Sequence, residues 1–428
     1  MEAKSRSSAY NQLMHVLQDA IDQALQGMPS QFLAQLVVKK LASKGVTLSA
    51  REHQLLIRRL RAGRFDTFRF RCRSLPNQHI RIEFTPDEIQ QAERRFSGFL
   101  KDKLPDLIFT STEKMSKRVL GDLKSKWRTE SRRQNRAFSG FRARLYGRWG
   151  DAIESLRMLT TISRELGARI NEDLRDPSRT KGCKHLVEVL TRSHARSCQI
   201  TEEIVCLLAS GFADGAMARW RTMHEIAVTA SFIAANGEDL AERYILHQVV
   251  ESKRGADEHG KHRKRLGVRP LKKGEMKKLD ASFAALRSRF GADFVTPYGW
   301  AAHHLNVRRP TLAQIEQAAG IDHLRPYYRL ASHPVHANPK GVFFMLGLRH
   351  SPIILAGPSN AGLCDPGQCA AISLAQVTAT LASLIPTVDS IVGLRMIMQL
   401  VDETAHAFGD AHSVLERDAK KGSSVQLC

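Results

Sequence analysis

The chain lacks most of what would place it in a secreted, zinc-ribbon or membrane class. Its seven cysteines (Cys72, Cys183, Cys198, Cys206, Cys364, Cys369 and Cys428) are odd in number, scattered, and form no CxxC pair. A disulfide framework is therefore not expected, and reduced thiols in a cytoplasmic protein are. Met1 to Ser8 lead straight into polar and charged residues with no apolar segment of the secretory kind, so no signal peptide is expected. The longest uncharged run, Pro366 to Val388, is long enough to cross a bilayer. It carries Gln368, Ser373, Gln376, Thr378, Thr380, Ser383 and Pro386, and so reads as a buried bundle helix rather than a membrane span. No cofactor and no membrane partner are expected.

Acidic residues are also scarce. Lys and Arg number 65 against 43 Asp and Glu, for a net charge of +22 and a pI near 10.0. That balance favours a polyanionic partner such as RNA, DNA or an acidic membrane surface. A hydrophobic share of 43% and a charged share of 25% are ordinary for a folded protein. At 428 residues two or three domains are expected.

Apolar residues at helical spacing (Leu13, Val16, Leu17, Ile21, then Phe32, Leu33, Leu36, Val37) predict three short helices between Tyr10 and Arg61. From Asp66 to Phe84 the period changes to two, in Phe68, Phe70, Cys72, then Ile80, Ile82, Phe84, which predicts a small hairpin across Pro76-Asn77. Thr85-Pro86-Asp87-Glu88 is a capping box opening a new helix. Residues 1–100 are expected to form a small accessory α+β domain, 101–150 a basic helical connector, 151–410 a helical bundle core and 411–428 a flexible tail.

Two stretches concentrate the positive charge. The first, Lys114 to Arg148, includes Lys124, Lys126, Arg128, Arg132, Arg133 and Arg136, with Trp127, Phe138, Phe141, Tyr146 and Trp149 interleaved. The second includes Lys261, Arg263, Lys264 and Arg265. Cations bind phosphates and aromatic rings stack on bases, so both runs are expected to hold nucleic acid; a solvated helix face explains the same residues without a ligand.

Between the runs lie four segments of regular helical spacing: Asp151 to Leu174, Leu186 to Ser210, Ala213 to Ala235 and Glu238 to Glu258. Breaks at Asp176-Pro177, Gly211 and Asn236-Gly237 make successive helices antiparallel. The third carries Arg221, His224 and Glu225, with Arg221 and Glu225 one turn apart; the fourth sets His247 and Glu251 one turn apart. A histidine placed as His224 is placed is more often a hydrogen-bonded core residue than a catalyst, and His224, Glu225, His247 and Glu251 together with His336 leave a metal-dependent hydrolase open as a third reading.

Pro326 to Lys340 packs Tyr327, Tyr328, Arg329, Ser332, His333, His336 and Asn338 into one turn-rich segment. Pro326 suits a first helical position, and Pro334 predicts a bend at His333 that places His336 beyond a break from Arg329. Gly341 to Leu348 and Ile353 to Ala356 predict two strands joined by Arg349-His350-Ser351-Pro352. A last long helix is expected from Gly367 to Phe408, bent at Pro386. The fold class is thus mainly α: an antiparallel helical bundle with a small β-hairpin late in the chain and a small α+β N-terminal domain.

Several ordered motifs carry a family resemblance: Ala-Arg-Trp-Arg-Thr-Met-His-Glu (218–225), Glu-Arg-Tyr-Ile-Leu-His (242–247), Tyr-Gly-Trp-Ala (298–301), Ala-Ser-His-Pro-Val-His (331–336) and Gly-Pro-Ser-Asn-Ala-Gly-Leu (357–363). Over roughly Arg142 to Phe408 the chain resembles a bacterial helical family of unknown function, in which an R-x-x-x-E helix precedes an S-x-x-x-H motif. More distantly it resembles HEPN ribonucleases, helical proteins that commonly dimerise and set Arg and His across a cleft. That resemblance implies an RNA-cleaving or RNA-binding protein of bacterial stress or phage-defence type, and a possible homodimer. Arg329 would hold the scissile phosphate and His336 would move a proton in a metal-independent transesterification, with Ser332 beside them and Arg221, His224, Glu225, His247, Glu251, His333 and Asn338 in support. The alternative is a non-catalytic helical module that holds nucleic acid or a protein.

Overall fold

A computed structural model describes the backbone of residues 9–64, 80–348 and 354–425, with side chains from residue 26 to residue 420 within those spans. The chain divides into two compact units, Met1–Ala137 and Phe138–Cys428. The first holds α1 (Ala9–Ser43), α2 (Ala50–Arg61), α3 (Pro86–Gly98), a π turn at Phe99–Lys103 and the beginning of α4 (Leu104–Asp173). Capping boxes open α2 at Ser49 and Glu52 and α3 at Thr85 and Glu88, each supplying two of the amide groups left over at a helix start with an acceptor. Phe32 packs on Phe96 and Phe99 at 5.0 and 5.6 Å between ring centres, while Lys40 pairs with Glu88 at 2.6 Å.

The second unit continues α4 and adds α5 (Lys184–Ala209), α6 (Ala213–Asn236), α7 (Glu238–Leu266), α8 (Lys273–Phe290), α9 (Ala302–Leu305), α10 (Leu312–Ala318), α11 (Arg325–His336), α12 (Pro339–Phe343), α13 (Cys364–Ala382) and α14 (Val388–Val425). Its main core joins Trp149, Ile153 and Leu156 of α4 to Ile200 and Ile204 of α5, Trp220 and Met223 of α6, Leu374 of α13 and Phe408 of α14. The two buried indoles are anchored at their polar edge: Trp149 donates to Asn360 Oδ1 at 2.9 Å and Trp220 to Ser373 Oγ at 3.0 Å.

The uncharged run becomes α13, which packs on α5, α6 and α14. With neighbours on several sides it has little solvent face on which to place a charge. Its hydroxyls are absorbed internally, as where Thr378 donates to the Leu374 carbonyl at 2.8 Å. Among the described residues no helix is long and apolar enough to cross a membrane. Two glycines allow close approach in this core. A methyl group at Gly167 would lie 2.2 Å from the buried His194 ring, and one at Gly367 would lie 2.4 Å from the Phe408 ring.

The β part of the expected fold class is corrected: among the described residues there is no strand. Gly341–Phe343 belongs to α12, because Asn338 caps its first turn by accepting from the Gly341 amide at 2.8 Å and Pro339 occupies its first position. Cap chemistry outweighs the apolar pattern there, and Ile354 to Ala356 have no ladder partner. In the early hairpin Ile80, Ile82 and Phe84 are in coil, and the half containing Phe68, Phe70 and Cys72 lies outside the described residues, as does the Arg349–Pro352 turn. The small N-terminal α+β domain is therefore not present as such: what is described of it is helices and coil.

Three helical boundaries also differ from expectation. One helix, α1, runs through Pro29 where the spacing predicts two. The last long helix is two, α13 and α14, separated at Ser383–Thr387, since Pro386 has no amide to continue the first. In the opposite sense, α11 continues through Pro334 to His336, so no break separates His336 from Arg329.

Burial of His194 gives the core a measurable response to acid. Desolvation holds its imidazole down at about 4, so the folded state keeps the ring neutral, with Nε2 at 3.2 Å from Thr378 Oγ1. Because the folded value lies below the unfolded one, this contribution is complete above about pH 6.5 and is lost as pH falls towards 4, some 3 kcal/mol in all. NMR titration of the His194 ring should give a midpoint near 4, and a midpoint near 6.5 would overturn the assignment.

Candidate functional site

α6 is the scaffold of the candidate site. Its buried side carries Trp220, Met223, Ala227 and Val228 into the core, and His224, within that stripe, is fully buried with them. Arg221 and Glu225 flank it one turn apart, with Arg221 Nη2 3.3 Å from Glu225 Oε1.

α11 lies against this side of α6 and inserts Tyr328 between the two charges. The Tyr328 hydroxyl donates to Glu225 Oε1 at 2.7 Å and accepts from Arg221 Nη2 at 2.9 Å, while the guanidinium sits 4.9 Å from the centre of the Tyr328 ring. Burial first, and then the hydrogen bond to Glu225, push the Tyr328 hydroxyl up to about 12, so it stays protonated and serves as a donor. On the inner side the His224 ring is held between Trp220 and Tyr328, 5.3 and 5.6 Å from their centres.

A second carboxylate lies deeper. Glu316, from α10, is completely buried, and accepts from His224 Nε2 at 2.8 Å and from Arg325 Nη1. Burial lowers the His224 pKa while Glu316 pulls it up, and the first effect is the larger, so the ring is neutral and presents Nε2–H to the carboxylate. Its other nitrogen, Nδ1, is buried without a partner among the described residues. One carboxylate thus ties α6, α10 and the start of α11 together.

Further along α11 the chemistry turns outward. At 100° per residue Arg329, Ser332, His333 and His336 fall within about 100° of one another, beside the Leu324, Tyr328 and Ala331 edge that faces the core. Arg329 and His336 are exposed and share a line two turns apart, about 10 Å along the axis. Ser332 is half-buried and donates to the Tyr328 carbonyl at 2.8 Å, leaving its lone pairs available. His333 accepts from Asn338 Nδ2 at 2.9 Å, so that Asn338 serves both α11 and the cap of α12.

The sequence-predicted residues therefore separate into two groups. Arg221, His224 and Glu225 enter a paired, largely buried network, whereas Arg329 and His336 make no hydrogen bond or ion pair with another described residue. His247 and Glu251 lie elsewhere: His247 is buried, donates to the Thr296 carbonyl at 3.1 Å and stands 3.7 Å from Glu251, which is also held by Arg254 at 2.9 Å. Among the described residues no three or more His, Cys, Asp or Glu are grouped to hold a metal ion. Two surface grooves, of about 620 and 300 Å³, are lined by α4, α14 and the turns beside them, with none of the residues named above.

The cations are where exposure makes them useful. On α4, Lys114, Lys117, Arg118, Lys124, Arg128, Arg132 and Arg136 are all exposed and fall within an arc of about 120°, along about 33 Å of helix. Asp122 and Glu130 project outside that arc, and Glu130 is occupied by Arg133 at 2.6 Å. Lys126 and Arg133 point elsewhere, and Lys117 is shared with Glu113 at 2.6 Å. At the end of α7, Lys264 and Arg265 are exposed, Arg263 is half-buried and Lys261 pairs with Glu258 at 2.7 Å.

Sequence reasoning missed Tyr328, Glu316, Arg325 and Tyr298. The last is half-buried with φ +54°, an uncommon conformation for a side chain of its size, and its hydroxyl is raised by burial and then by Glu225. Glu316 lies 92 residues from His224, so no local spacing could have paired them.

The two groups should respond oppositely to substitution. Glu316→Ala leaves Arg325 and His224 without their acceptor and should cost about 3–5 kcal/mol. Arg329→Ala and His336→Ala should each stay within about 0.5 kcal/mol of the parent. Denaturant melts of the three variants check this, and an unchanged midpoint for Glu316→Ala would sink the network's structural role.

No curated protein and no solved structure matches the chain. Residues 187–351, from α5 to beyond α12 and including every member of the Arg221, Glu225, Tyr328, His224, Glu316 and Arg325 network, match the model of DUF5677, a family of unknown function.

Proposed function

We propose that the protein is a cytoplasmic RNA-binding protein and that the cationic face of α4 takes the phosphates. The observation that carries this reading is the seven exposed cations within one arc of α4, of which Lys117 is shared with Glu113 at the edge of the arc. A polyanion rewards such an array: each phosphate neutralised releases condensed counterions, and a helix line of about 33 Å spans many phosphates of a strand. Trp127, 58% exposed on another side of the same helix, adds a ring of the kind that stacks on bases. The net charge of +22 supports a polyanionic ligand, and the resemblance to HEPN proteins favours RNA over DNA.

Cleavage is the second reading, favoured by the exposed line of Arg329 and His336 on α11, with the half-buried Ser332 beside it. In a metal-independent transesterification His336 takes the proton from a ribose 2′-hydroxyl, whose oxygen attacks phosphorus. The bond to the 5′-oxygen breaks and that oxygen takes up a proton from solvent water, leaving a 2′,3′-cyclic phosphate. Arg329 balances the charge that grows on the non-bridging oxygens. The paired network beneath positions α11 and takes no part in the transfer. In the same reading the bacterial defence role and a homodimer remain as the resemblance implies.

Binding is tested by replacing Lys124, Arg128, Arg132 and Arg136 together with alanine. The slope of log Kd against log salt for a single-stranded RNA should fall by about 3, roughly 0.7 for each phosphate left without its cation, with thermal stability kept. An unchanged slope would overturn the assignment of α4. For cleavage, the wild-type protein should cut cellular RNA in EDTA, and His336→Ala should abolish cutting at unchanged melting temperature. RNA left intact under every divalent condition would remove the cleavage reading and leave binding standing.

A further inference from the structure

Between Asp322 and Asp365 the chain has no acidic residue. This stretch forms α11 and α12, and it leaves large apolar side chains in water. Phe343 is 90% exposed, Val342 61% and Phe344 41%. α12 folds back closely on the end of α11: a methyl group at Gly341 would lie 2.1 Å from the His333 carbonyl oxygen, and Asn338 joins the two helices through His333 and the Gly341 amide. The exposed rings therefore follow directly on a turn anchored to the helix that carries Arg329 and His336. Lys340, also exposed, lies between them.

We infer that this α11–α12 elbow is a platform for single-stranded RNA, on which Phe343 stacks an unpaired base while Arg329, His336 and Lys340 hold the phosphates beside it. The inference rests on the RNA-binding reading and adds to it a second contact and a choice of strand state. Charge complementarity selects the occupant. Of the carboxylates that reach these helices, Glu316 is engaged by Arg325 and His224, Glu225 by Tyr328 and Arg221, and Asp214 by the Leu346 amide at 3.1 Å, while Asp365 acts on Tyr327, on the side of α11 turned away from Arg329 and His336. What faces solvent is cation, imidazole and aromatic ring, a combination suited to a polyanion with flat apolar faces. In a duplex those faces are covered by neighbouring bases; only an unstacked base can lie on Phe343.

The test uses the full chain and a single-stranded RNA carrying 4-thiouridine. After irradiation and trypsin digestion, crosslinks should map to the peptide Gly341–Arg349 as well as to α4. Phe343→Ala should weaken binding of a single-stranded RNA roughly tenfold and leave a duplex of the same sequence unchanged, with Phe343→Trp restoring it. Crosslinks confined to α4, with equal affinities for Phe343→Ala and wild type, would overturn the platform and leave the α4 assignment intact. A Phe343→Ala variant that changes oligomeric state while RNA affinity holds would show the elbow to be a protein interface. If the wild type binds neither RNA, the function proposed for α4 falls and the platform falls with it.

Discussion

A carboxylate with no exposed surface must be compensated inside the protein, and Glu316 is the group around which α6, α10 and α11 are arranged. Left alone it would cost several kcal/mol in a low-dielectric interior. Here one oxygen accepts from the neutral imidazole of His224 and the other from the guanidinium of Arg325. Each compensating group belongs to a different helix from Glu316 itself, so the requirement to neutralise one charge becomes a requirement on tertiary placement. Tyr328 reads the same placement from the other side, since its hydroxyl meets Arg221 and Glu225 only when α11 is seated at this height on α6.

Charge is sorted by depth. Inside, every carboxylate of the α6 and α11 contact is matched and the ionisable neighbours are pushed towards neutrality, His224 downward and Tyr328 upward. Outside, positive groups stand on α4 and α11 with little to offset them. A surplus of +22 spread evenly would speak only of solubility. Seven cations on one arc of a helix create instead a line of potential with a direction, and a line of that kind suits an extended polyanion better than a compact one.

Much of the helical plan could be read from the chain. Gly211 and Gly237 end helices as their positions predict, each with positive φ, and the uncharged run around Ala370 is a buried helix as its polar interruptions imply. The two hairpins could not, because period-two apolar spacing says only that alternate side chains are apolar. Where Asn338 and Pro339 open a turn, the same pattern becomes helix, and the described residues Ile80 to Phe84 and Ile354 to Ala356 are coil. Pro334 misled in the other direction: the bias against a helical residue before proline is a preference, and α11 overrides it. Within the site, Arg221 and Glu225 were legible because they are local, at one turn. Glu316 and Arg325 were not, because nothing in a chain of many acids and arginines marks which carboxylate will be buried.

The seating of α11 also bears on how sequences of this kind can change. Tyr328 and Ala331 face inward and Arg329 and His336 outward on one short helix. Inserting or deleting a single residue between Tyr328 and His336 would rotate everything beyond it by about 100°, swinging the histidine out of line with the arginine or the alanine out of its contact. Insertions before α10 leave that register untouched. Length variation among descendants of this chain is therefore expected to spare the interior of α11, whatever happens to the identity of the exposed residues.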